Sequence, residues 1–313
     1  MTGYALRRIL LAIPVMGVVA LFVFGLLYLA PGDPALVIAG DHATAADIAF
    51  VRKSLGLDQS PIIRFADWLW RILQGDFGTS IYMSEPVSRL IGQRAGASVS
   101  LMLFAALIAT SIGLPLGIAA ANRRDGVWSK LLAGYSTLGF SLPPFVVAYL
   151  LAFLFASTLH WLPVQGYRAP SAGAGPFLQT AILPALSLSI GFSALIASVT
   201  RVAMLEALDQ DYIRTAVAKG ANRRSILFGH ALKNAAIPIV TVIGGGIPVL
   251  IGGTVVVESI FVIPGIGGLT VDAILHRDYP VIQAVVLLSS FVYVLTNLGI
   301  DLAYTALDPR IRY

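Results

Sequence analysis

The sequence predicts an all-α polytopic membrane protein with six transmembrane helices. Of its 313 residues, 57% are hydrophobic and only 12% are charged, whereas roughly a quarter of the residues in a soluble domain are charged. Six stretches free of Asp, Glu, Lys and Arg each exceed the ~20 residues that cross a bilayer as a helix, and they do not alternate as barrel strands do. These stretches are residues 9–32, 95–122, 131–167, 169–200, 234–257 and 279–300.

The first apolar stretch follows Arg7 and Arg8, as the hydrophobic part of a signal peptide would. With 24 residues it is longer than the ~7–15 residues of such a part. We therefore interpret residues 1–32 as a short N-terminal tail and a retained first transmembrane helix.

Residues 33–94 form a polar segment with helix signals of its own. Thr44, followed three residues later by an acid, resembles a capping box, and Gly56 ends the short helix that it begins. Pro61 and Gly75 bracket a second helix, PIIRFADWLWRILQ, since proline favours the first helical position and glycine the end. Its apolar side chains suit a helix that lies on a membrane face or covers the ends of the spans, with its tryptophans serving as anchors in preference to contacting a solute.

Residues 95–313 hold the other five spans. Glycine and proline predict an irregular loop at WLPVQGYRAPSAGAGP, between spans three and four. A short helix over Thr270–His276 is expected between spans five and six. Glycines in span five favour close helix packing over a gate, namely Gly244, Gly245, Gly246, Gly252 and Gly253.

The distribution of basic residues predicts that both termini are cytoplasmic. With the N-terminus inside, 13 of the 21 Lys and Arg residues lie on the cytoplasmic side. Six of the other eight lie in residues 33–94, and long segments cross a membrane regardless of charge. The basic pI of about 9.6 then follows from this positive-inside bias, and no nucleic-acid partner is needed to explain it.

Sequence patterns for catalysis are missing. The chain has no cysteine, no phosphate-binding G-x-x-x-x-G-K-[ST], no H-E-x-x-H and no G-x-S-x-G. Its four histidines, His42, His160, His230 and His276, are scattered over both predicted sides of the membrane. We therefore expect no catalytic residue, no metal site and no cofactor in this chain.

Two other classes of membrane protein fit the pattern less well. An ion-coupled carrier or an autonomous channel would need ionisable groups within its spans, and the nearest candidate, Asp301, lies at the inner end of span six, where a structural cap is favoured. A membrane-embedded enzyme would need buried catalytic carboxylates or histidines, which the apolar stretches lack.

The segment between spans four and five is unusually polar. Its sequence, DYIRTAVAKGANRRSILFGHALKNA at 211–235, predicts two short helices joined by a turn at Gly220, with Lys219 at the end of the first and Asn222 capping the second. Arg223 and Arg224 would then stand in the first turn, where the helix dipole opposes positive charge. We therefore expect a negative partner, either lipid phosphate or the acidic groove of another protein.

This segment, extended to DYIRTAVAKGANRRSILFGHALKNAAIP, resembles the EAA loop of permease subunits of binding-protein-dependent ABC importers, in the form of the dipeptide, oligopeptide and nickel class. The resemblance covers essentially the whole chain, through RRILLAIPV, APGDPA, LGLDQSPIIRFADWLWRILQGDFGTS, VVVESIFVIPGIGG, RDYPVIQA and ALDPRIRY. Arg214, Thr215 and Ala216 stand where the general pattern has Glu-Ala-Ala, and this departure matches the peptide-class form.

The resemblance implies that residues 201–235 form a coupling loop, which is seated in a cleft of a separate cytoplasmic ATPase. That ATPase binds ATP and Mg²⁺. It also implies a second homologous permease subunit, one or two kinds of ATP-binding subunit, an extracytoplasmic substrate-binding protein and membrane lipid as partners. The residues implied in coupling are Arg214, Thr215, Ala216, Ala218, Lys219, Gly220, Arg223 and Arg224.

The same resemblance implies import of a small solute, di- or oligopeptides first, with glutathione, nickel chelates, opines or oligosaccharides as alternatives within the family. Four residues near the outer ends of spans five and six are candidates for the translocation path or for contact with the binding protein, and a structural role is the alternative for each of the acids. These residues are Glu258, Phe261, Asp272 and Asp278.

Overall fold

The computed structural model describes residues 2–29, 35, 44–54 and 59–307. Within these ranges the chain consists of helices and loops, with one isolated β-bridge between Thr79 and Pro86. The helices are α1 (Thr2–Leu29), α2 (Ala45–Ser54), α3 (Pro61–Leu73), α4 (Val87–Asn122), α5 (Val127–Ser141), α6 (Pro144–Leu151), α7 (Ala174–Leu208), α8 (Asp211–Ala218), α9 (Leu232–Phe261), α10 (Ile266–Leu275) and α11 (Tyr279–Leu307). Two π-helical segments, Ala152–Thr158 and Ser225–Ala231, follow α6 and precede α9.

Several predicted features fall outside the described ranges, namely the PGDP motif at 31–34, His42, Gly56 and the C-terminal residues 308–313. The side chain of Asp47 is also not described. The helix α2 nevertheless begins directly after Thr44, whose carbonyl oxygen accepts a hydrogen bond from the Ile48 amide at 3.0 Å.

Five helices in the described residues are long and apolar enough to cross a membrane: α1, α4, α7, the continuous helix Ser225–Phe261 and α11. The helix α5, together with α6 and its π-helical extension, is also long and apolar enough, although the pair is bent by 100° at the break between them. The all-α fold with six spans is therefore confirmed when this bent pair is counted as one span.

The third apolar stretch thus contains two helices where the sequence suggested one. Leu142 and Pro143 leave the helical region, with ψ angles of 114° and 146°. Proline disfavours helical backbone in the residue before it, and Pro144 then supplies the fixed φ of the first residue of α6. The consecutive prolines therefore end α5 and begin α6 in a new direction.

The centre of the bundle is the pair α4 and α7, which approach each other at two glycines. A Cβ atom on Gly113 would lie 2.6 Å from the Ser193 carbonyl oxygen, and one on Gly117 would lie 2.6 Å from that of Ala197. Both contacts advance by four residues in the same direction, so the two helices run parallel. Small residues allow such close contact between helices in a membrane.

Glycines of α9 pack against two neighbouring helices, as predicted. A Cβ atom on Gly244 would lie 2.4 Å from Ile300 of α11, and one on Gly246 would lie 1.9 Å from the Phe192 ring of α7. By contrast, Gly245 and Gly252 have no described atom within 4 Å of such a position. The glycines of span five therefore serve close packing on one face and leave a second face open.

The amphipathic helix predicted in residues 33–94 is confirmed as α3, and its apolar face packs on α1. Phe65 and Trp68 contact the Phe24 ring with centroids 5.4 Å and 5.5 Å apart. On the opposite side, Trp70 is 64% exposed, as an interfacial anchor would be.

The two remaining loop predictions are also close to the structure. The Gly- and Pro-rich stretch is irregular over residues 161–173 apart from a 3₁₀ turn at Pro170–Ala172, and its last three residues begin α7. The expected short helix between the last two spans is α10, which begins four residues earlier than Thr270. At the end of the spans that carries the N-terminal residues, Asp301 forms an ion pair with Arg8 at 3.1 Å, and this contact favours the structural role for that acid.

Candidate functional site

The polar segment between the fourth and fifth spans consists of α8, a turn and the start of a long helix. Gly220 has a φ of +81°, which confirms the predicted left-handed position after α8. The side-chain oxygen of Asn222 accepts a hydrogen bond from the Ser225 amide at 2.8 Å, as predicted for an N-cap. We call α8 and this turn, residues 211–224, the coupling segment.

The second helix of the predicted pair is not short. It continues from the turn through the π-helical segment Ser225–Ala231 into α9, and the unbroken helix Ser225–Phe261 spans 37 residues. A single π turn accommodates an extra residue without ending a helix, and Gly229 lies within it. The fifth span is therefore directly joined to the turn at Gly220, with no loop between them.

Apolar residues of the coupling segment form one hydrophobic core with the ends of three spans. Ile213 and Ala216 are 5% and 9% exposed and pack with Met204 of α7, Ile118 of α4 and Ile226 at the start of the fifth span. Ala216 thus contributes to the core of this chain itself, and its small size serves packing here.

Seven of the eight predicted coupling residues are exposed, and the exception is Ala216. The seven are Arg214, Thr215, Ala218, Lys219, Gly220, Arg223 and Arg224. Among the described residues, Arg214 forms an ion pair with Asp211 at 3.5 Å, with both side chains at least 80% exposed, so its stabilising effect is small. This surface is consequently available to another molecule.

Arg223 has a partner within the chain, at the C-terminal end of α4. Its Nε donates to the Asn122 side-chain oxygen at 2.8 Å and its Nη2 donates to the Asn122 carbonyl oxygen at 2.7 Å. The C-terminus of a helix carries partial negative charge, which stabilises a cation there. The negative partner expected for the arginine pair is thus a helix end for Arg223, while Arg224 has no hydrogen bond or ion pair to the described residues.

Two exposed apolar side chains, one within the coupling segment and one just after it, escaped the sequence analysis. Val217 is 56% exposed and Phe228 is 53% exposed. The spacing of Val217, four residues after the buried Ile213, predicts burial on the same helix face. No pattern in the sequence therefore distinguishes this exposed position from a core position.

Tyr212 anchors the first turn of α8 to the end of α7. Its hydroxyl donates to the Ala207 carbonyl oxygen at 3.2 Å, and partial burial raises the pKa of the phenol above its usual value. The hydroxyl therefore stays protonated and able to donate throughout the physiological range.

Near the opposite end of the spans, Glu258 is fully buried. One carboxylate oxygen accepts from the Ser98 hydroxyl at 2.5 Å, and the other accepts from the Gly267 and Gly268 amides at 2.7 Å and 3.2 Å. Backbone amides at a helix N-terminus are a favourable environment for an anion. The carboxylate therefore joins α9, α4 and the start of α10, and Phe261, 1% exposed, is buried beside it.

Asp278 is also buried, with 2% exposure. Its carboxylate accepts hydrogen bonds from the Ser80 hydroxyl and from the Tyr82 amide, the latter at 3.3 Å. Asp272 differs, because its side chain is 47% exposed and lies 3.8 Å from Arg94. Burial favours structural roles for Glu258, Phe261 and Asp278, and leaves Asp272 as the accessible member of the predicted set.

Within the described ranges, no group of three His, Asp or Glu side chains is placed to hold a metal ion. The long apolar helices and the polar segment between the fourth and fifth spans define the class of the chain, a multi-pass helical membrane protein with an exposed helical turn at one end.

Two family models match almost all of this chain. The model described as "Binding-protein-dependent transport system inner membrane component" matches residues 113–313, and the model for the N-terminal part of such a membrane component matches residues 1–102. The chain belongs to this family, and it is a permease subunit of a binding-protein-dependent ABC transporter.

Relatives support the same family over their full length. The chain is 48% identical over 310 residues, 99% of both chains, to a protein of Sinorhizobium fredii named "Probable peptide ABC transporter permease protein y4tP". It is 42% identical over 313 residues, 100% of both chains, to the protein of Salmonella typhimurium named "Glutathione transport system permease protein GsiC".

Proposed function

We propose that this chain and a second, homologous permease subunit together form the translocation path of an ATP-driven importer for di- or oligopeptides. An extracytoplasmic binding protein delivers the solute. The peptide and glutathione transport named for the two relatives supports this class of solute. Glutathione is the first alternative, followed by nickel chelates, opines and oligosaccharides.

The coupling segment is the proposed docking site for a cytoplasmic ATP-binding subunit. The observation that carries this proposal is the shared core that joins α8 to the ends of α4, α7 and the fifth span. A force on the exposed side of α8 reaches all three spans through this core, so closure of the ATPase can rotate them as a body. ATP and Mg²⁺ are bound by that partner, and one or two kinds of ATPase fit the arrangement equally.

The proposed orientation places the coupling segment and both termini in the cytoplasm of a bacterium or archaeon. The basic residues of the coupling segment and of the connection between α4 and α5 support it through the positive-inside rule. Asp272, at the opposite end, then faces the side of the binding protein and is the proposed contact for it.

The decisive experiment is purification of the tagged chain from its native membrane in a mild detergent, with identification of co-purifying proteins and an assay of ATP hydrolysis. We expect a second six-span protein and ATP-hydrolysing subunits. Purification of this chain alone, without nucleotide turnover, would instead favour an autonomous carrier or channel.

A matched pair of variants tests the docking surface in the same purification. Val217→Glu places a charge in the proposed interface, where an unpaired buried charge costs about 3–5 kcal/mol, so recovery of the ATPase should fall at least about tenfold. Val127→Glu, at a 71% exposed position at the same end of the spans, should leave recovery unchanged. Equal recovery from both variants would exclude this face of α8 as the docking site.

A further inference from the structure

A cavity of about 420 Å³ lies between the N-terminal part of α5 and the end of α7, close to the coupling segment. This volume falls within the roughly 300–1,000 Å³ that is common for small-molecule sites. Three cations line it: Arg124 from the connection before α5, Lys130 from the first turn of α5 and Arg201 from α7.

Hydrogen-bond donors converge on the cavity. The Arg201 Nε donates to the Ser129 hydroxyl oxygen at 3.1 Å, which leaves the two terminal guanidinium nitrogens and the Ser129 hydroxyl proton for another acceptor. Deeper along the same two helices, the hydroxyls of Ser136 and Ser198 lie 2.9 Å apart. A fork of guanidinium nitrogens with adjacent hydroxyls is the arrangement that binds phosphate oxygens.

The electrostatic balance of the cavity is positive. Arg124 is ion-paired with Asp209, and Asp125 contributes one opposing charge to the lining. Lys130 and Arg201 remain, and the N-terminus of α5 adds partial positive charge, since its N-cap residue offers no side-chain hydrogen bond. The cavity therefore suits a singly charged anion.

Exposed apolar side chains belong to the cavity lining or to residues close to it in the sequence. Val127, Trp128, Leu131 and Val202 are each more than half exposed. Tryptophan at such a position is typical of the membrane interface. An amphiphile with an anionic head and acyl chains would contact both the cations and these side chains, whereas an inorganic anion would use the cations alone.

We propose that this cavity binds the phosphate of an anionic phospholipid. The orientation proposed above would place this cavity in the inner leaflet, whereas lipid binding itself does not depend on that orientation. The headgroup would contact Arg124, whose partner Asp209 lies two residues before α8. The bound lipid would thus adjoin the chain entering the coupling segment.

The test is native mass spectrometry of the full chain in a non-ionic detergent, titrated with phosphatidylglycerol or with phosphatidylcholine of the same acyl chains. We expect one phosphatidylglycerol per chain to bind in preference. Each basic residue near an anionic lipid contributes about fivefold in affinity, so Lys130→Ala combined with Arg201→Gln should weaken binding by about 25-fold. Asp125→Asn removes the opposing charge and should strengthen it by about fivefold, a gain that misfolding cannot produce.

Two matched controls test the location of the binding site. Lys233→Ala removes an exposed cation at the same end of the spans, and Arg168→Ala removes one at the opposite end; neither should change the affinity. An equal loss in Lys233→Ala, or unchanged affinity in both the double variant and Asp125→Asn, would overturn the proposal. Complete displacement of the lipid by millimolar inorganic phosphate would also overturn it, since the site would then bind the free anion.

Discussion

Gly220 holds the turn of the coupling segment in a left-handed backbone conformation with a φ of +81°, and no described atom lies within 4 Å of where a Cβ would stand. A substitution there therefore acts through backbone strain, which is about 1–2 kcal/mol for a residue with a Cβ. We expect Gly220→Val to lower solute uptake per ATP hydrolysed in proteoliposomes of the complete importer, with membrane insertion unchanged.

Asparagine is the matched control at this position, because it tolerates the left-handed region. Gly220→Asn should retain nearly full coupling. If the valine and asparagine variants transport equally well, the left-handed turn has no part in coupling.

Local features of the coupling segment were predictable from sequence, and long-range contacts were not. Gly220 and Asn222 act on residues within a few positions of themselves, so their roles follow from turn and capping chemistry. The partner of Arg223 is Asn122, 101 positions away. Similarly, Glu258 resembles a solvated acid in the sequence, and its burial depends on Ser98, 160 positions away.

At the scale of elements, the close contact between α4 and α7 depends on Gly113 and Gly117, because a Cβ at either position would clash with the backbone of α7. Gly113→Ala would place a Cβ 2.6 Å from the Ser193 carbonyl oxygen, and overpacking of this kind costs about 1–3 kcal/mol. We expect a lower midpoint of thermal unfolding in detergent for this variant.

The same helix offers a control for helix propensity. A Cβ on Gly96 of α4 meets no described atom within 4 Å, so Gly96→Ala should leave the unfolding midpoint unchanged or raise it through the higher helix propensity of alanine. A midpoint for Gly113→Ala at or above that of Gly96→Ala would contradict the close packing of α4 on α7.

The number of spans was predictable because charged side chains are costly in lipid, which leaves long charge-free stretches in the sequence. The course of each span was harder to predict. The prolines at 143 and 144 indicate a break, but the 100° bend depends on how α5 and α6 each pack on α7. Likewise, no local signal in residues 223–231 distinguishes a short helix from the start of the fifth span.

For the whole molecule, the proposed orientation is open to a direct test. The chain has no cysteine, so a single introduced cysteine is the only target for a thiol reagent. We expect a membrane-impermeant maleimide to label Arg168→Cys in intact spheroplasts, and to label Arg123→Cys only after permeabilisation. Both variants should react fully in detergent, and the reverse pattern in intact cells would place the coupling segment outside.

The helix α4 and the long fifth span are fastened together near both of their ends. Arg223 bonds to Asn122 at one end, and Glu258 bonds to Ser98 at the other. With a 1.5 Å rise per residue, the two fastening points on α4 are ~36 Å apart, a full membrane thickness. For the two helices to slide past each other or to separate at one end, at least one of these hydrogen-bonded contacts must break, so the contacts favour movement of the pair as one body. A displacement of the coupling segment would therefore reach the far side of the bilayer with little lost to bending between these two helices.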